Sequence, residues 1–298
     1  MISVIIPHLD QPAALRRCLE SLGRQRGLGE APEIIVVDNG SRVQVDFCQQ
    51  FGAALLFQPL PGPGHARNLG VSRAGGDILA FIDADCLADP GWLAEIERCF
   101  RDRPDIDIIG GDVRIARADP HRLTWLEAYE SVFAYRMQEY IKKQGFTGTG
   151  NLAVRARTFA AVGPFGGLEV AEDRDWGQRA LALGFRTHYR PAMIVFHPAR
   201  ASFAELARKW QRHVAHDFEA IRSKPAWRLR WLLRAGAVFV SPLAEMPRIA
   251  LSDRLDGLRA RVLAFMGVAL VRAYRVRLMI ELAMGGSHTR MVARWNRT

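Results

Sequence analysis

The sequence has few cysteines and none of the spacings that mark a zinc site. Its four cysteines, Cys18, Cys48, Cys86 and Cys99, form no C-x-x-C pair. This argues against a disulfide framework and favours a reducing compartment. The motifs H-E-x-x-H and G-x-S-x-G are also absent, so nothing points to a zinc peptidase or to a serine hydrolase of the nucleophile-elbow type.

Long apolar runs are missing as well. The longest uncharged stretches after residue 200 are Ala235–Ala244 and Val262–Val271, ten residues each, whereas a membrane-spanning helix needs about 20. The first residues, Met1–Pro7, have no basic n-region and are expected to form a strand rather than a signal peptide. These features predict a cytoplasmic protein.

Acidic residues are scarce in one part of the chain only. Residues 1–199 contain 22 basic and 24 acidic residues, net −2, whereas residues 200–298 contain 19 and 7, net +12. The overall charge of +10 therefore belongs to the last third of the sequence. This division predicts a domain at 1–199 and a distinct basic region, largely helical, at 200–298.

The first 200 residues alternate apolar strands with amphipathic helices. Strands are predicted at Ser3–Ile6, Glu33–Val37 and Ile78–Ile82, with helices from about 12 to 25 and 65 to 74. This spacing is typical of βαβ units and a parallel sheet. Later predicted elements are a long helix at His121–Lys143, a strand at Leu152–Arg155, a helix at Asp173–Leu183 and two short strands at Arg186–Tyr189 and Met193–Phe196.

Two aspartates directly follow the Ile78–Ile82 strand. Ligands of open α/β sheets lie outside the carboxyl ends of the strands. Asp83 and Asp85 at such an edge suit a hard divalent cation, which prefers oxygen ligands and often a phosphate as co-ligand. The alternative is that both are solvated turn residues, with Asp89 as a helix N-cap.

Six short motifs occur in the order found in family-2 glycosyltransferases. They are V-I-I-P at Val4–Pro7, V-V-D-N-G-S at Val36–Ser41, G-H-A-R-N-L-G at Gly64–Gly70, D-A-D at Asp83–Asp85, T-G-N at Thr149–Asn151 and E-D-R-D-W at Glu172–Trp176. Over roughly residues 1–200 the sequence resembles this inverting family. The resemblance implies an α/β fold of the GT-A type, Rossmann-like, with a mixed, mainly parallel sheet and helices on both faces, followed here by a C-terminal helical appendage.

The resemblance also implies a nucleotide-sugar donor, with UDP as the expected nucleotide. It assigns donor binding to Pro7, Asp38, Arg67 and Asp83, with Asp38 on the uracil. From the residues alone, Asp38 could instead close an Asx-turn at Asn39-Gly40. Arg67, in the first turn of a helix, would add a guanidinium to an anion site, or it could be an ordinary surface arginine.

A metal and a base complete the implied site. Asp85 would bind Mn²⁺ or Mg²⁺, and Asp83 would face the ribose or the metal. His197 would be a further metal ligand, although a lone histidine is usually structural. The base for the acceptor hydroxyl would be Asp173, beside Glu172 at a helix start. Helix-dipole complementarity could equally explain Glu172 and Asp175, and Asp175 is the second candidate for the base.

The remaining implied contacts concern the sugar and the acceptor. Gly150 and Asn151 are expected to line the donor sugar. Trp176 would form an acceptor wall, or else belong to the core. The acceptor is expected to be a hydroxyl on a lipid-linked or cell-envelope glycan intermediate, as in polysaccharide biosynthesis.

The basic tail suggests a peripheral membrane partner. Arginines flank apolar helices that carry Trp227 and Trp231, a composition typical of helices in a membrane interface. The expected location is the inner face of the cytoplasmic membrane. The alternatives are a solvated helical cap or an oligomer interface. Nucleic acid is not an expected partner, because no known nucleic-acid module is present.

Two other functions remain open from the sequence. A polyprenyl-phosphate sugar synthase would use the same donor site with a phosphate acceptor. A catalytically inactive scaffold that only binds sugar nucleotides would not need Asp83, Asp85 and Asp173 together. A nucleotidyltransferase is disfavoured, because a Gly-rich basic loop is missing after the first strand.

Overall fold

An eight-stranded sheet forms the centre of the first part of the molecule. The computed structural model describes residues 1–119 and 121–286. Within these residues the strands are β1 Ile2–His8, β2 Glu33–Asp38, β3 Ala54–Phe57, β4 Ile78–Ile82, β5 Leu87–Ala88, β6 Ile108–Ala116, β7 Asn151–Arg155 and β8 Thr187–Pro198. Their order across the sheet is β3-β2-β1-β4-β7-β6-β8-β5. The first four strands are mutually parallel, and β7 runs antiparallel to both β4 and β6.

Helices cover this sheet and build a second unit. They are α1 Pro12–Leu22, α2 Pro63–Arg73, α3 Trp92–Asp102, α4 Trp125–Phe133, α5 Met137–Gln144, α6 Ala156–Val162, α7 Glu172–Ala182, α8 Phe203–Arg222, α9 Trp227–Ala244, α10 Met246–Ala250 and α11 Gly257–Ala283, with a 3₁₀ helix at Asp46–Phe51. Unit 1 comprises residues 1–116 and 136–198; unit 2 comprises the described residues within 117–135 and from 199 onward. The helical unit therefore takes up a segment that lies within the first 199 residues.

The central strands of unit 1 are buried on both faces. Val4 and Ile5 are adjacent in β1 and point to opposite faces of the sheet, yet neither is exposed. The same holds for Ala80 and Phe81 in β4. Continuous apolar strands of this kind are typical of parallel sheets that are covered on both sides.

The predicted long helix at His121–Lys143 is two helices, α4 and α5. A capping box starts α4 at Trp125: Thr124 accepts from the backbone N–H of Glu127, and Glu127 accepts from that of Thr124. The two helices belong to different units. Tyr129 of α4 packs in the core of unit 2, whereas Met137 of α5 contacts Thr147 in unit 1.

The two short strands predicted near the end of unit 1 are one strand, β8. It runs parallel to β6, with a register shift between Gly111 and Asp112 that accommodates Pro191–Met193. The two-residue strand β5 pairs antiparallel with β8, so that Leu87 faces Phe196. This pairing places the residues after β4 beside the end of β8.

Unit 2 buries two clusters of apolar side chains among α4 and α8–α11. Trp231 is fully buried, packs against Phe218 and donates its indole N–H to the carbonyl of Met279. Trp227 also packs edge-on against Phe218. Trp231 is therefore a core residue, and the prediction that it faces a membrane interface was wrong, whereas Trp227 is half-buried. None of the helices within residues 1–119 and 121–286 combines the length and apolarity that a membrane span requires.

Candidate active site

Asp38 lies at the end of β2, opposite His8 at the end of β1. The Nε2 atom of His8 accepts the backbone N–H of Gln11 at 3.1 Å, so the neutral ring carries its proton on Nδ1. That N–H donates to Oδ1 of Asp38 at 3.0 Å, and Ser41 donates to the same carboxylate through its hydroxyl and its backbone N–H. Burial alone would raise the pKa of Asp38, but the hydrogen bonds from Ser41 and His8 outweigh it and hold the pKa below its usual value.

The loop after Asp38 is held by Asn39. Its Nδ2 donates to the carbonyls of Gln58 and Leu60, and its Oδ1 accepts the backbone N–H of Gly62. Pro7, predicted to contact the nucleotide, is half-buried in β1 next to His8. These contacts form a preorganised carboxylate at the carboxyl edge of β1 and β2.

Arg67, predicted to bind the donor, is held between two carboxylates. Its side chain is only 4% exposed; Nη2 lies 2.6 Å from Oδ1 of Asp83 and Nη1 lies 3.1 Å from Oε1 of Glu172. A guanidinium held by two carboxylates is not a free phosphate ligand, because its charge is already compensated. Arg67 therefore acts as a positioning residue that joins the end of β4 to the start of α7.

Asp85 lies beside His197, although 112 positions separate them in the sequence. The Nδ1 atom of His197 is 2.7 Å from the carbonyl oxygen of Pro198, which can only accept, so Nδ1 carries the proton in the neutral ring. Nε2 is then unprotonated and lies 3.5 Å from Oδ2 of Asp85. An imidazole whose distal N–H is fixed by a backbone carbonyl is the usual arrangement of a metal-binding histidine.

The donor set at this point fits a divalent cation. Ligand atoms of Asp85, Cys86 and His197 all lie within 4.8 Å of one another. Burial, with repulsion from Asp83 and Asp85, raises the pKa of the Cys86 thiol well above its usual value, and a soft sulfur ligand suits Mn²⁺ or Mg²⁺ poorly, because these cations prefer oxygen. A carboxylate and an imidazole remain, which suit a cation that completes its shell with phosphate oxygens.

Three acidic residues lie in the first turn of α7. Asp175 pairs with Arg179 at 2.9 Å. Asp173 accepts the backbone N–H of Arg174 at 2.7 Å, and burial, with repulsion from Glu172, raises its pKa above the usual value. A half-buried carboxylate with a raised pKa is suited to accepting a proton, whereas Asp175 is committed to its ion pair.

Gly150 lies against Asp83. A Cβ atom at this position would lie 2.5 Å from Oδ2 of Asp83, closer than two such atoms can approach. The glycine thus allows the loop before β7 to pass the carboxylate, which is consistent with the predicted place of Gly150 at the site.

Two predicted contacts are corrected by the structure. Asn151 is fully buried: its Nδ2 donates to the carbonyls of Asp112 and Met193, and its Oδ1 accepts the indole N–H of Trp92. Its side chain is used within the fold and does not line a sugar. Trp176 is 2% exposed, stacks on Phe159 and donates to a backbone carbonyl, so it is a core residue and not an acceptor wall.

His8 and the role of Ser41 were not predicted from the sequence. His8 could have been found from the register of parallel strands: if β1 and β2 end together, the last residue of each faces the other. Ser41 lies within V-V-D-N-G-S, and its hydroxyl is three residues from Asp38, a common spacing for side-chain to backbone hydrogen bonds in turns.

Comparisons with known proteins agree with this architecture. The sequence profile of Glycosyl transferase family 2 matches residues 3–162, more than half of the chain. Glycosyltransferase AglE of Haloferax volcanii is 33% identical over 216 residues, 70% of each chain. The mannosyltransferase PcManGT from Pyrobaculum calidifontis, solved with GDP-Man and Mn²⁺, superposes with a TM-score of 0.54 at 19% identity, over 94% of this chain and 86% of that one.

TarS 1-349 of S. aureus, solved in complex with UDP-GlcNAc, has a TM-score of 0.52 at 16% identity, covering 96% of this chain and 92% of that one. At these identities the solved structures show the fold alone, and it is the GT-A fold that the six motifs implied. The profile match and the similarity to AglE show the family as well. The chain belongs to glycosyl transferase family 2.

Proposed function

We propose that this family-2 enzyme is a metal-dependent, inverting glycosyltransferase that moves a sugar from a UDP-linked donor to an acceptor hydroxyl. One observation carries the proposal: side chains that can bind a metal ion and a carboxylate with a raised pKa are linked through Arg67 at one edge of the sheet. Asp83 and Asp85 follow β4, and Arg67 links Asp83 to the turn of α7 that carries Asp173.

The base of the nucleotide would be bound by Asp38. An ionised carboxylate accepts hydrogen bonds only, so it favours a base with a ring N–H, such as uracil or guanine, over cytosine or adenine. The low pKa of Asp38 keeps it ionised across the neutral range. The donor class is supported by the nucleotide-sugar complexes of PcManGT and TarS.

Mn²⁺ or Mg²⁺ would be held by Asp85 and His197, with Asp83 adjacent. When bound, such a cation would stabilise the negative charge that develops on the leaving nucleoside diphosphate. The protein contributes the fixed tautomer of His197 and the orientation of Asp83, which Arg67 maintains.

The transfer step would use Asp173 as the general base. Asp173 takes the proton of the acceptor hydroxyl while that oxygen forms a bond to the anomeric carbon. The bond between this carbon and the diphosphate oxygen breaks, and its electron pair leaves with the nucleoside diphosphate. Attack on the face opposite the leaving group inverts the anomeric configuration. The acceptor we propose is a lipid-linked or cell-envelope glycan intermediate.

The experiment is a panel of UDP- and GDP-sugars, with Mn²⁺, Mg²⁺ or EDTA, read out as thermal shift and released diphosphate. Asp85→Ala should lower turnover by about 10³-fold with little change in melting temperature. Asp77→Ala, at the opposite end of β4 and 95% exposed at its side chain, is the matched control. Turnover by Asp85→Ala near that of the control would refute the metal assignment, and a product of retained configuration would refute the inverting mechanism.

A further inference from the structure

Helix α9 carries an apolar stripe on its exposed side. Its buried side is formed by Trp231, Ala235 and Pro242. On the other side, six large apolar side chains are between 48% and 65% exposed: Leu229, Leu232, Leu233, Phe239, Val240 and Leu243. Single exposed apolar residues are normal on protein surfaces, but a contiguous set usually marks an interaction site.

The six side chains share one face of the helix. At 100° per residue they span an arc of about 120°, and from Leu229 to Leu243 the stripe is about 21 Å long at 1.5 Å per residue. The segment Ala235–Ala244 contains no charged residue. The stripe is therefore continuous, narrow and uninterrupted by charge over its second half.

Positive charge borders the stripe. Arg230 lies on one side of it and Arg228 on the other side near its start, whereas Arg234 is paired with Asp217. Residues 200–298 as a whole contain 19 basic and only 7 acidic residues. Two copies of this surface would repel each other, whereas an anionic bilayer offers both an apolar layer and negative headgroups.

We propose that unit 2 docks on an anionic lipid bilayer through this stripe, with α9 lying in the plane of the interface. The apolar side chains enter the boundary between headgroups and acyl chains, and the flanking arginines contact lipid phosphates. The surface differs from the one that the sequence suggested, since Trp231 is buried and Trp227 packs against Phe218. The proposal rests on α9 and on the charge of residues 200–298, and it is independent of the proposed transfer chemistry.

Vesicle flotation of the full chain tests the proposal. We expect binding to vesicles that contain phosphatidylglycerol, weaker binding in high salt because exposed charges are screened, and little binding to vesicles of phosphatidylcholine alone. The double variant Phe239→Gln/Leu243→Gln should bind these vesicles at least about tenfold more weakly than the wild type. The matched control is Leu181→Gln/Leu183→Gln, which removes two exposed apolar side chains from unit 1 and should bind like the wild type.

A fluorescent probe locates the contact. All four native cysteines are buried, so Val240→Cys offers a single accessible thiol for an environment-sensitive dye. Its emission should shift to the blue when anionic vesicles are added, and the same dye on Leu183→Cys should not respond.

Two results would overturn the proposal. One is the absence of binding to anionic vesicles at low salt. The other is a blue shift at Val240→Cys that grows with protein concentration without vesicles, accompanied by a larger sedimentation coefficient; this would assign the stripe to a second copy of the chain. Either result would leave the transfer assays unaffected.

Discussion

Arg67 in unit 1 and Arg275 in unit 2 are both more than nine-tenths buried, yet their surroundings differ. Arg67 lies between two carboxylates. The guanidinium carbon of Arg275 is 4.1 Å from the centre of the Trp210 ring, and within the described part of the chain no carboxylate is within ion-pair distance of it. Burial, with repulsion from Arg272, lowers the pKa of Arg275 to about 10.

The two arginines show how a buried charge with an ionic partner differs from one without a partner. A buried ion pair mainly fixes geometry, and removing one partner leaves the other uncompensated. A buried charge without a partner is costly and adjusts its pKa. The same contrast recurs in α7, where Asp175 has Arg179 as its partner and Asp173 has no ion pair with any of the described residues. In unit 1 the unpaired charge is the one that we propose does chemistry.

Asp173→Asn should have the largest effect on activity. The substitution keeps the shape of the side chain and removes the base, so turnover should fall by about 10²–10⁴-fold while nucleotide binding is retained. Because burial raises the pKa of Asp173 in the folded state, ionising it costs stability as pH rises through that pKa, and the neutral amide should melt at an equal or higher temperature at pH 7. Calorimetry and single-turnover kinetics measure the two quantities.

Asp175→Asn is the matched control for this comparison. It breaks the pair with Arg179 and should lower the melting temperature while turnover stays within a few-fold of the wild type. The pH profile gives a second check: wild-type turnover should decline on the acid side at a higher pH than the usual aspartate pKa would predict. Equal losses of turnover in both variants would contradict the assignment of Asp173 as the base.

Gly150→Ala should have the next largest effect, because it disturbs the paired charge at Asp83. The new methyl group would overlap Oδ2 of Asp83 and move this carboxylate away from Arg67. A displacement of about 1 Å at a reacting site can cost about 10²-fold in rate. Steady-state kinetics would measure the loss. Gly148→Ala in the same loop is the control, since its methyl group would meet only Met137, at an ordinary distance of 3.5 Å.

Replacing each buried arginine by methionine tests the difference between Arg67, which has ionic partners, and Arg275, which has none among the described residues. Arg67→Met leaves two carboxylates without a partner, and since their side chains are 37% and 23% exposed, we expect a loss of about 1–3 kcal/mol rather than the full cost of a buried pair. Arg275→Met removes an unpaired buried charge and should change the free energy of unfolding by less than about 1 kcal/mol. Urea unfolding measures both. A larger loss for Arg275→Met would reverse the comparison.

His8→Phe should have the smallest effect. The ring volume is similar, but the hydrogen bond to Asp38 is lost, together with the acceptor for Gln11. We expect nucleotide binding about fivefold weaker, near 1 kcal/mol, with turnover at saturating donor unchanged. Calorimetric titration with UDP measures the change, and His121→Gln on the surface of unit 2 is the control. Unchanged affinity would show that Ser41 alone orients Asp38.

The sequence predicted the parts of the site that depend on local order. Strand ends followed by polar residues located Asp38, Asp83 and Asp85, because periodicity and turn composition are local signals. It could not show that Arg67 pairs with Glu172, since this contact joins residues that are 105 positions apart in the sequence. The proximity of Asp85 and His197 depends on the two-residue strand β5, which is too short to leave a periodic signal.

Burial was the other quantity that the sequence did not supply. The sequence does not show whether Trp176 and Trp231 are buried or exposed, because an aromatic residue next to charged neighbours occurs both in cores and at interfaces. Only the packing on Phe159 and on Phe218 decides that both are inside. Conversely, the exposed stripe of α9 consists of ordinary leucines, a phenylalanine and a valine, whose periodicity alone would suit a buried face equally well.

The three hydrogen bonds of Asn39 bear on the chemical ageing of the protein. An asparagine followed by glycine is prone to deamidation, because the glycine amide can reach the side-chain carbonyl carbon and close a succinimide ring. In the folded chain both ends of the Asn39 amide are held by Gln58, Leu60 and Gly62, which keeps the group in place and opposes cyclisation. After deamidation, the new carboxylate could not donate to the carbonyls of Gln58 and Leu60. The loop beside Asp38 would then lose these two hydrogen bonds. Deamidation of Asn39 should therefore require that this loop first opens and releases the amide.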